Sequence, residues 1–279
     1  MKLLLNSLYI VSTPIGNLDD ITFRAIDVLK NSDIILCEDT RHSIKLLNHF
    51  KIKKKLISYH KFNEKKKVMS IIEYINQGKI LSLISDAGTP LLSDPGRILV
   101  NQCIENKIKI TPIPGVSSIT TAMSSSGFKD QFLFYGFLPK TENEIDKALL
   151  PLSQNSFTII FFIPPQKINF FLKKFKKYFS GRKILIAKEL TKMHETFFRD
   201  NVDDIQTFNN IMKGELTVVV SEKNIKKNEL NVEKIVNKAK KYLKKYSLKD
   251  TVDLILESEK FNKKEIYKLC LKVKNEKNY

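Results

Sequence analysis

The sequence lacks the marks of several common protein classes. Three cysteines, Cys37, Cys103 and Cys270, stand far apart in 279 residues. Such an odd, scattered set fits neither a secreted disulfide framework nor a zinc site, and it predicts reduced thiols in a core. The four histidines, His42, His49, His60 and His194, form no ligand spacing, so no metal is expected. No apolar run reaches the roughly 18 residues that cross a bilayer. The apolar start passes directly into Thr13-Pro14-Ile15-Gly16-Asn17 with no small-residue cleavage site, which predicts a first strand and a cytoplasmic protein with no membrane partner. Neither GxGxxG nor GxxxxGK[ST] occurs, and G-x-S-x-G is also missing. The usual dinucleotide and triphosphate cradles and the hydrolase elbow are thereby excluded.

Arginine is scarce as well. Only Arg24, Arg41, Arg97, Arg182 and Arg199 stand among 48 basic residues. The formal charge of +18 suggests a phosphate-rich partner, but lysine is abundant along the whole chain and dilutes that signal. Arginine is the better bidentate phosphate ligand, which singles out the five.

With 42% apolar residues, the chain can build one large core or two ordinary ones. Apolar runs at 8–11, 34–37, 55–58, 80–85 and 108–112 alternate with helical patterns at 20–30, 43–50, 64–76 and 96–106. This rhythm predicts an α/β fold with a largely parallel sheet covered on both faces. Asp19 or Asp20 is the expected cap of the first helix. A second α/β series has strands at 132–137, 157–163, 183–188 and 215–220. The expected domains are 1–115, 116–225 and a basic helical extension at 226–279. That extension holds sixteen Lys against eight Asp plus Glu, a net charge near +8. Its periodicity predicts a helix at 231–245, a second around Val252, Leu254, Ile255 and Leu256, a turn at 261–264, and a helix at 265–273. Helix, turn and helix with outward lysines either docks on nucleic acid or presents a solvated face.

Candidate chemistry gathers at strand ends. The run Ser85-Asp86-Ala87-Gly88-Thr89-Pro90-Leu91-Leu92-Ser93-Asp94-Pro95-Gly96 follows a buried strand, where open α/β sheets bind ligands beside a switch in strand order. Its small residues let backbone approach a ligand. Alternatively, the run is only a strand, a turn and a helix, with Asp94 as N-cap and Pro95 at the first helical position. Glu38-Asp39-Thr40-Arg41-His42 is the densest polar cluster. Arg41 there is suited to a phosphate or carboxylate, with Glu38, Asp39 or His42 handling a proton. Alternatively, Asp39 or Thr40 caps a helix and Arg41 pairs internally. After the Pro114-Gly115 turn, the small-residue helix at 117–126 offers a platform for a nucleoside. Lys188-Glu189-Leu190-Thr191 closes a later strand.

These motifs, together with Tyr9 to Leu18, His60 with Asn63-Glu64, Gly136 to Pro139 and Lys188 to Lys192, resemble the tetrapyrrole-methylase-fold family of class III methyltransferases. Within it, the chain is similar to the group that methylates small-subunit ribosomal RNA, over roughly residues 8–275. The resemblance implies a two-domain fold with S-adenosylmethionine in the cleft and a homodimer. It also implies methyl transfer to the ribose 2′-hydroxyl of a cytidine in the decoding region of 16S rRNA, within the small ribosomal subunit. Carried over, Pro14, Ile15, Asp86, Ala87, Gly88, Thr89, Ser117, Ser118, Ile119 and Phe162 would line the cofactor. Glu38, Asp39 and Glu189 are the candidates for proton removal, with Arg41 and Lys188 on phosphate. One departure stands out, because Ile163-Pro164-Pro165-Gln166-Lys167 occupies the place where the group usually reads Glu-Ser-x-His-Arg. Two rival readings are a same-fold methylase of a tetrapyrrole or other small acceptor, and a non-catalytic RNA-binding protein of ribosome assembly.

Overall fold

Three apolar runs of the first half, at 7–11, 34–37 and 80–83, are buried on both faces and form the centre of a parallel sheet whose edge runs at 55–58 and 109–113 are partly exposed. The computed structural model describes residues 3–223, 232–258 and 262–275. In the first half, β1 (Ser7–Val11), α1 (Phe23–Asn31), β2 (Ile34–Cys37), α2 (Thr40–His49), β3 (Lys55–Ser58), α3 (Glu64–Asn76), β4 (Ile80–Leu83), α4 (Arg97–Glu105) and β5 (Lys109–Ile113) alternate along the chain. The strands lie in the order β3-β2-β4-β1-β5, all parallel. From β1 the chain travels toward β2 on one side, and from β4 toward β5 on the other. The β1 and β4 ends therefore flank a switch point, where connections diverge and leave a crevice.

Three helix starts differ from the sequence reading. Thr22, not Asp19 or Asp20, caps α1, its side chain accepting from Ala25 N at 3.0 Å. Asn17 instead caps a short 3-10 turn at Leu18–Asp20. Helix α2 begins at Thr40, ahead of the expected 43, because Asp39 accepts from Arg41 N at 2.9 Å. Helix α4 starts at Arg97 with Gly96 as its N-cap, so Asp94 and Pro95 are not its cap and first residue. Gly96 N donates to Glu64 Oε2 at 3.3 Å, which meets the capping need from α3.

The second series comprises α5 (Ser118–Ser124), β6 (Phe132–Phe137), α6 (Glu142–Ser153), β7 (Thr158–Ile163), α7 (Ile168–Tyr178), β8 (Lys183–Lys188), β9 (Thr196–Asn201) and β10 (Leu216–Val220). The order is β6-β7-β10-β8-β9, with β6 and β7 parallel and the remaining pairs antiparallel. The edge strand β9 has no counterpart in the sequence reading. It lies mostly in solvent and so carries no apolar run to betray it. Under this sheet, Phe161, Phe171, Phe175 and Phe179 stack in the core with α7.

Arg182 is 2% exposed. Its guanidinium donates to the carbonyls of Ser153, Asn155, Phe157 and Ser221, and it lies over the Phe179 ring. One fork thus ties together the end of α6, the approach to β7, and the exit of β10.

Both sheets belong to one compact unit, Met1–Lys223, and a second unit spans Asn224–Tyr279. In the second, α8 (Val232–Tyr242), α9 (Leu248–Ser258) and α10 (Lys263–Asn275) share a core of Ile235, Ala239, Val252, Ile255, Ile266, Cys270 and Val273. Helix α10 starts at Lys263, so Lys263 and Lys264 are helical where a turn is expected, and Asn262 accepts from Lys264 N at 2.9 Å. Residues 226–231, 259–261 and 276–279 of the expected extension lie outside the described residues. All three cysteines are free and buried, and burial pushes the Cys103 thiol up to about 11. They are core thiols of low reactivity.

Candidate active site

The loops leaving β1 and β4 are stitched to each other. Thr13 N donates to Gly88 O at 2.9 Å and Gly88 N to Thr13 O at 3.0 Å, a two-residue bridge beyond the strand ends. Thr13 Oγ1 donates to Ser85 O at 3.2 Å, and Ser12 Oγ and Thr89 Oγ1 are 2.9 Å apart. Thr89 Oγ1 also donates to Val116 O at 3.3 Å, which brings in the loop between β5 and α5. Gly88 has φ +77, and a Cβ there would sit 3.3 Å from Ile15 Cγ2. At Gly115 a Cβ would lie 2.8 Å from Ser12 Cβ. These two positions need glycine because three backbones converge on one place.

That place is one wall of a cavity of about 370 Å³. Ile15, Asp86, Ala87, Gly88, Thr89, Ser117, Ser118 and Ile119 line the first wall. Phe137, Phe162 to Pro165, Ala187, Leu190 and Gly214 to Thr217 form the second. Its size and largely apolar lining with a few polar groups suit a small organic ligand. Nine of the ten residues expected at a cofactor line it, Phe162 among them, whereas Pro14 is buried beside Ile15 and does not.

The candidates for proton removal lie elsewhere. None of Glu38, Asp39, Arg41 and Glu189 lines the cavity. The Asp39 carboxylate takes both Arg41 Nε at 3.1 Å and Nη2 at 2.7 Å, although the Arg41 side chain is 89% exposed. The Arg41 guanidinium holds the Asp39 carboxyl down at about 2, which makes it a feeble base. Of the two readings of this cluster, the structure adopts the capped helix with an internal pair. Asp39 N nonetheless donates to Asp86 Oδ1 at 3.2 Å, so the α2 start braces the cavity wall. Glu38 is near the wall too. Burial, with the Asp86 charge, pushes its carboxyl up, offset in part by His60.

Glu189 serves the opposite wall. Burial pushes its carboxyl up, but Lys192 and the Glu215 N–H outweigh that and hold it below its ordinary value. Its Oε1 accepts from Lys192 Nζ at 2.9 Å and from Glu215 N at 2.8 Å. Gly214 leaves the room this needs, since a Cβ would collide with the Glu189 carboxyl group. Lys188 faces the 208–213 loop. Its neighbour Ala187 faces the cavity, as alternation along a strand requires.

Sequence reasoning missed Leu92, Ser93 and Asp94, which also line the cavity. Burial, followed by the Glu38 charge, pushes the Asp94 carboxyl up to about 6. The signal available was the pair of prolines and glycines bounding this loop, which a plain helix start does not need. Ile163, Pro164 and Pro165 leave the second wall apolar at this point.

A family model described as Tetrapyrrole (Corrin/Porphyrin) Methylases matches residues 7–206. The chain belongs to the tetrapyrrole methylase family. The fold and family expected from the motifs are thus borne out. Among relatives of this tetrapyrrole methylase, the Ribosomal RNA small subunit methyltransferase I of Mesomycoplasma conjunctivae is 45% identical over 225 residues, covering 79% of this chain and 94% of that protein. The protein of that name from Rickettsia prowazekii is 43% identical over 278 residues, covering 98% and 99%. The structure of uroporphyrin-III C-methyltransferase from Thermus thermophilus complexed with S-adenyl homocysteine has a TM-score of 0.54 at 14% identity, covering 76% of this chain and 96% of that one. At that identity, the likeness speaks for the fold.

Proposed function

We propose that this protein is an S-adenosylmethionine-dependent methyltransferase acting on small-subunit ribosomal RNA, with the ribose 2′-hydroxyl of a cytidine in the 16S decoding region as acceptor. The observation that carries this reading is the end-to-end match, at 43% identity, to a relative named for small-subunit rRNA methylation. A cytoplasmic homodimer belongs to the same reading. The cavity fits the cofactor on its own chemistry. Ala87, Gly88, Ser117 and Ser118 leave backbone accessible, Ile15 and Ile119 offer apolar contact to a purine, and Phe162 lies on the facing wall. These, with Asp86 and Thr89, are the residues we assign to cofactor binding. When bound, the cofactor supplies an electrophilic methyl group on a sulfonium.

The protein's share is to hold the acceptor oxygen in line and to exclude water. Arg41 is assigned to backbone phosphate, since its exposure lets it trade Asp39 for RNA. Asp39 is then a helix cap and Glu189 a brace for the 214–215 wall. Mapping ribose methylation in ribosomal RNA from cells with and without the gene tests the reading. Loss of one 16S ribose methyl on deletion supports it; an unchanged map, or methylation of a tetrapyrrole alone, overturns it. Asp86→Ala removes the acceptor for Asp39 N and a polar contact of the cavity. It is expected to weaken cofactor affinity about tenfold, or ~1.4 kcal/mol, by calorimetry.

The second unit is assigned to RNA affinity. On α10, Lys264, Tyr267, Lys268, Leu271 and Lys272 are all exposed at one-turn spacing. Lys263 pairs with Asp253 at 2.7 Å. Reversing Lys264, Lys268 and Lys272 to Glu is expected to reduce small-subunit affinity. It should also flatten the salt dependence by about one unit of slope for each phosphate that is no longer neutralised. Unchanged salt dependence would reduce the unit to a packing role.

A further inference from the structure

Three carboxyl side chains line the cavity, those of Asp86, Asp94 and Glu215. Two are otherwise engaged. Asp86 accepts the backbone N–H of Asp39, and Glu215 accepts from Lys192 Nζ at 3.2 Å with its side chain 72% exposed. Asp94 makes no ion pair among the described residues. It lines the same cavity as Pro164 and Pro165, which bring no side-chain polar group to it.

The backbone around Asp94 is held in an unusual shape. Leu91 and Ser93 have φ of 74° and 72°, left-handed values that cost a non-glycine residue energy. The loop is fixed at both ends. Gly96 N is bound to Glu64, and Ser93 Oγ lies where a Cβ on Gly136 of β6 would come within 2.9 Å of it. That glycine leaves room for the Ser93 hydroxyl beside β6. Strain kept in place by contacts from α3 and β6 is expected where a side chain must be aimed.

We propose that Asp94 is the catalytic base, taking the proton from the hydroxyl that is methylated. This rests on the function proposed above. The proton passes from the acceptor oxygen to an Asp94 carboxylate oxygen as an electron pair of the acceptor oxygen bonds the methyl carbon. The pair of the breaking carbon–sulfur bond remains on sulfur. Asp94 is suited to this. Burial and the charges of Glu38 and Asp86 raise its carboxyl to about 6, with the nearby Ser85 hydroxyl opposing. His60 tempers Glu38 in turn. At pH 7 to 8 such a group is ionised yet more basic than an ordinary aspartate, the condition for general-base work.

Methyl transfer by wild-type protein to isolated small subunits is measured first, and its absence at saturating cofactor overturns the function itself. Given that activity, Asp94→Asn is expected to slow single-turnover transfer by about 10²- to 10⁴-fold. The acid limb of the pH–rate profile, centred near 6, should disappear, and cofactor affinity by calorimetry should stay within about threefold. Asp94→Glu, which keeps a carboxylate, recovers part of the rate. Infrared difference spectra of cofactor-free wild-type and Asn proteins should contain a carboxyl titrating near pH 6. The folded carboxyl titrates above the unfolded one, so its ionisation opposes folding increasingly as pH rises from about 4 to 6. Asp94→Asn should therefore raise the melting temperature at pH 8 relative to wild type and lose that advantage at pH 4. An Asn variant that transfers methyl groups at the wild-type rate, keeps the acid limb, or loses rate only through cofactor affinity overturns the assignment.

Discussion

Ser118→Trp is expected to abolish S-adenosylmethionine binding while leaving the fold intact. Ser118 is the first residue of α5, half-exposed, and it borders the cavity beside Ile119. An indole ring brings on the order of 200 Å² of surface to the edge of a space of about 370 Å³ and fills much of it. The core beneath is not asked to expand, so the melting temperature should move by no more than about 2 °C. Cofactor affinity should fall at least about a hundredfold, or ~2.7 kcal/mol. Calorimetry with the cofactor and its demethylated product checks this. Wild-type affinity in the variant would mean that the cofactor binds elsewhere.

Arg182→Ala is expected to destabilise the first unit by about 3–5 kcal/mol, the scale for stripping a buried charged group from its partners. Four carbonyls from three segments depend on this one fork. Alanine takes this donor from the buried Ser221 carbonyl and from the three partly buried ones. Lysine restores charge but not the planar spread of donors, and should recover little of the loss. Urea denaturation followed by circular dichroism gives the midpoint. A shift below about 1 kcal/mol would show that water replaces the guanidinium there.

The sequence made the first sheet readable because both faces of β2 and β4 are buried, so their residues are apolar almost without interruption. Strand β9 was unreadable for the opposite reason. At an edge, a strand needs only hydrogen bonds from β8, and TFFRDN carries no long apolar pattern. The first wall of the cavity was legible because it is made of contiguous loop residues directly after strands. Most of the second wall was not. Ala187, Leu190 and Gly214 to Thr217 meet there only when β8 and β10 pair. The polar cluster at 38–42 was found, but its use was open, since Asp39 can either face a ligand or serve its own neighbours. The local bonds to Arg41 decide for the latter. Asp94 failed for a related reason. A residue before Pro-Gly reads as a helix cap until Glu64, far upstream in α3, is seen to take the Gly96 N–H.

The contact between the β1 loop and the loop after β8 governs how the cleft behaves in time. Asn17 N donates to Thr191 Oγ1 at 3.0 Å, and at Gly16 a single added carbon would come within 2.8 Å of that same hydroxyl. Two walls fastened at the rim of their shared cavity have little freedom to swing apart. The dimensions of the pocket are therefore set when the chain folds, and an arriving ligand gives up its own mobility while demanding little ordering of the protein. The same stiffness provides no opening stroke to expel a spent ligand. Residence time then follows from the contacts the ligand makes and not from a gate, and release of the demethylated product becomes the natural brake on turnover.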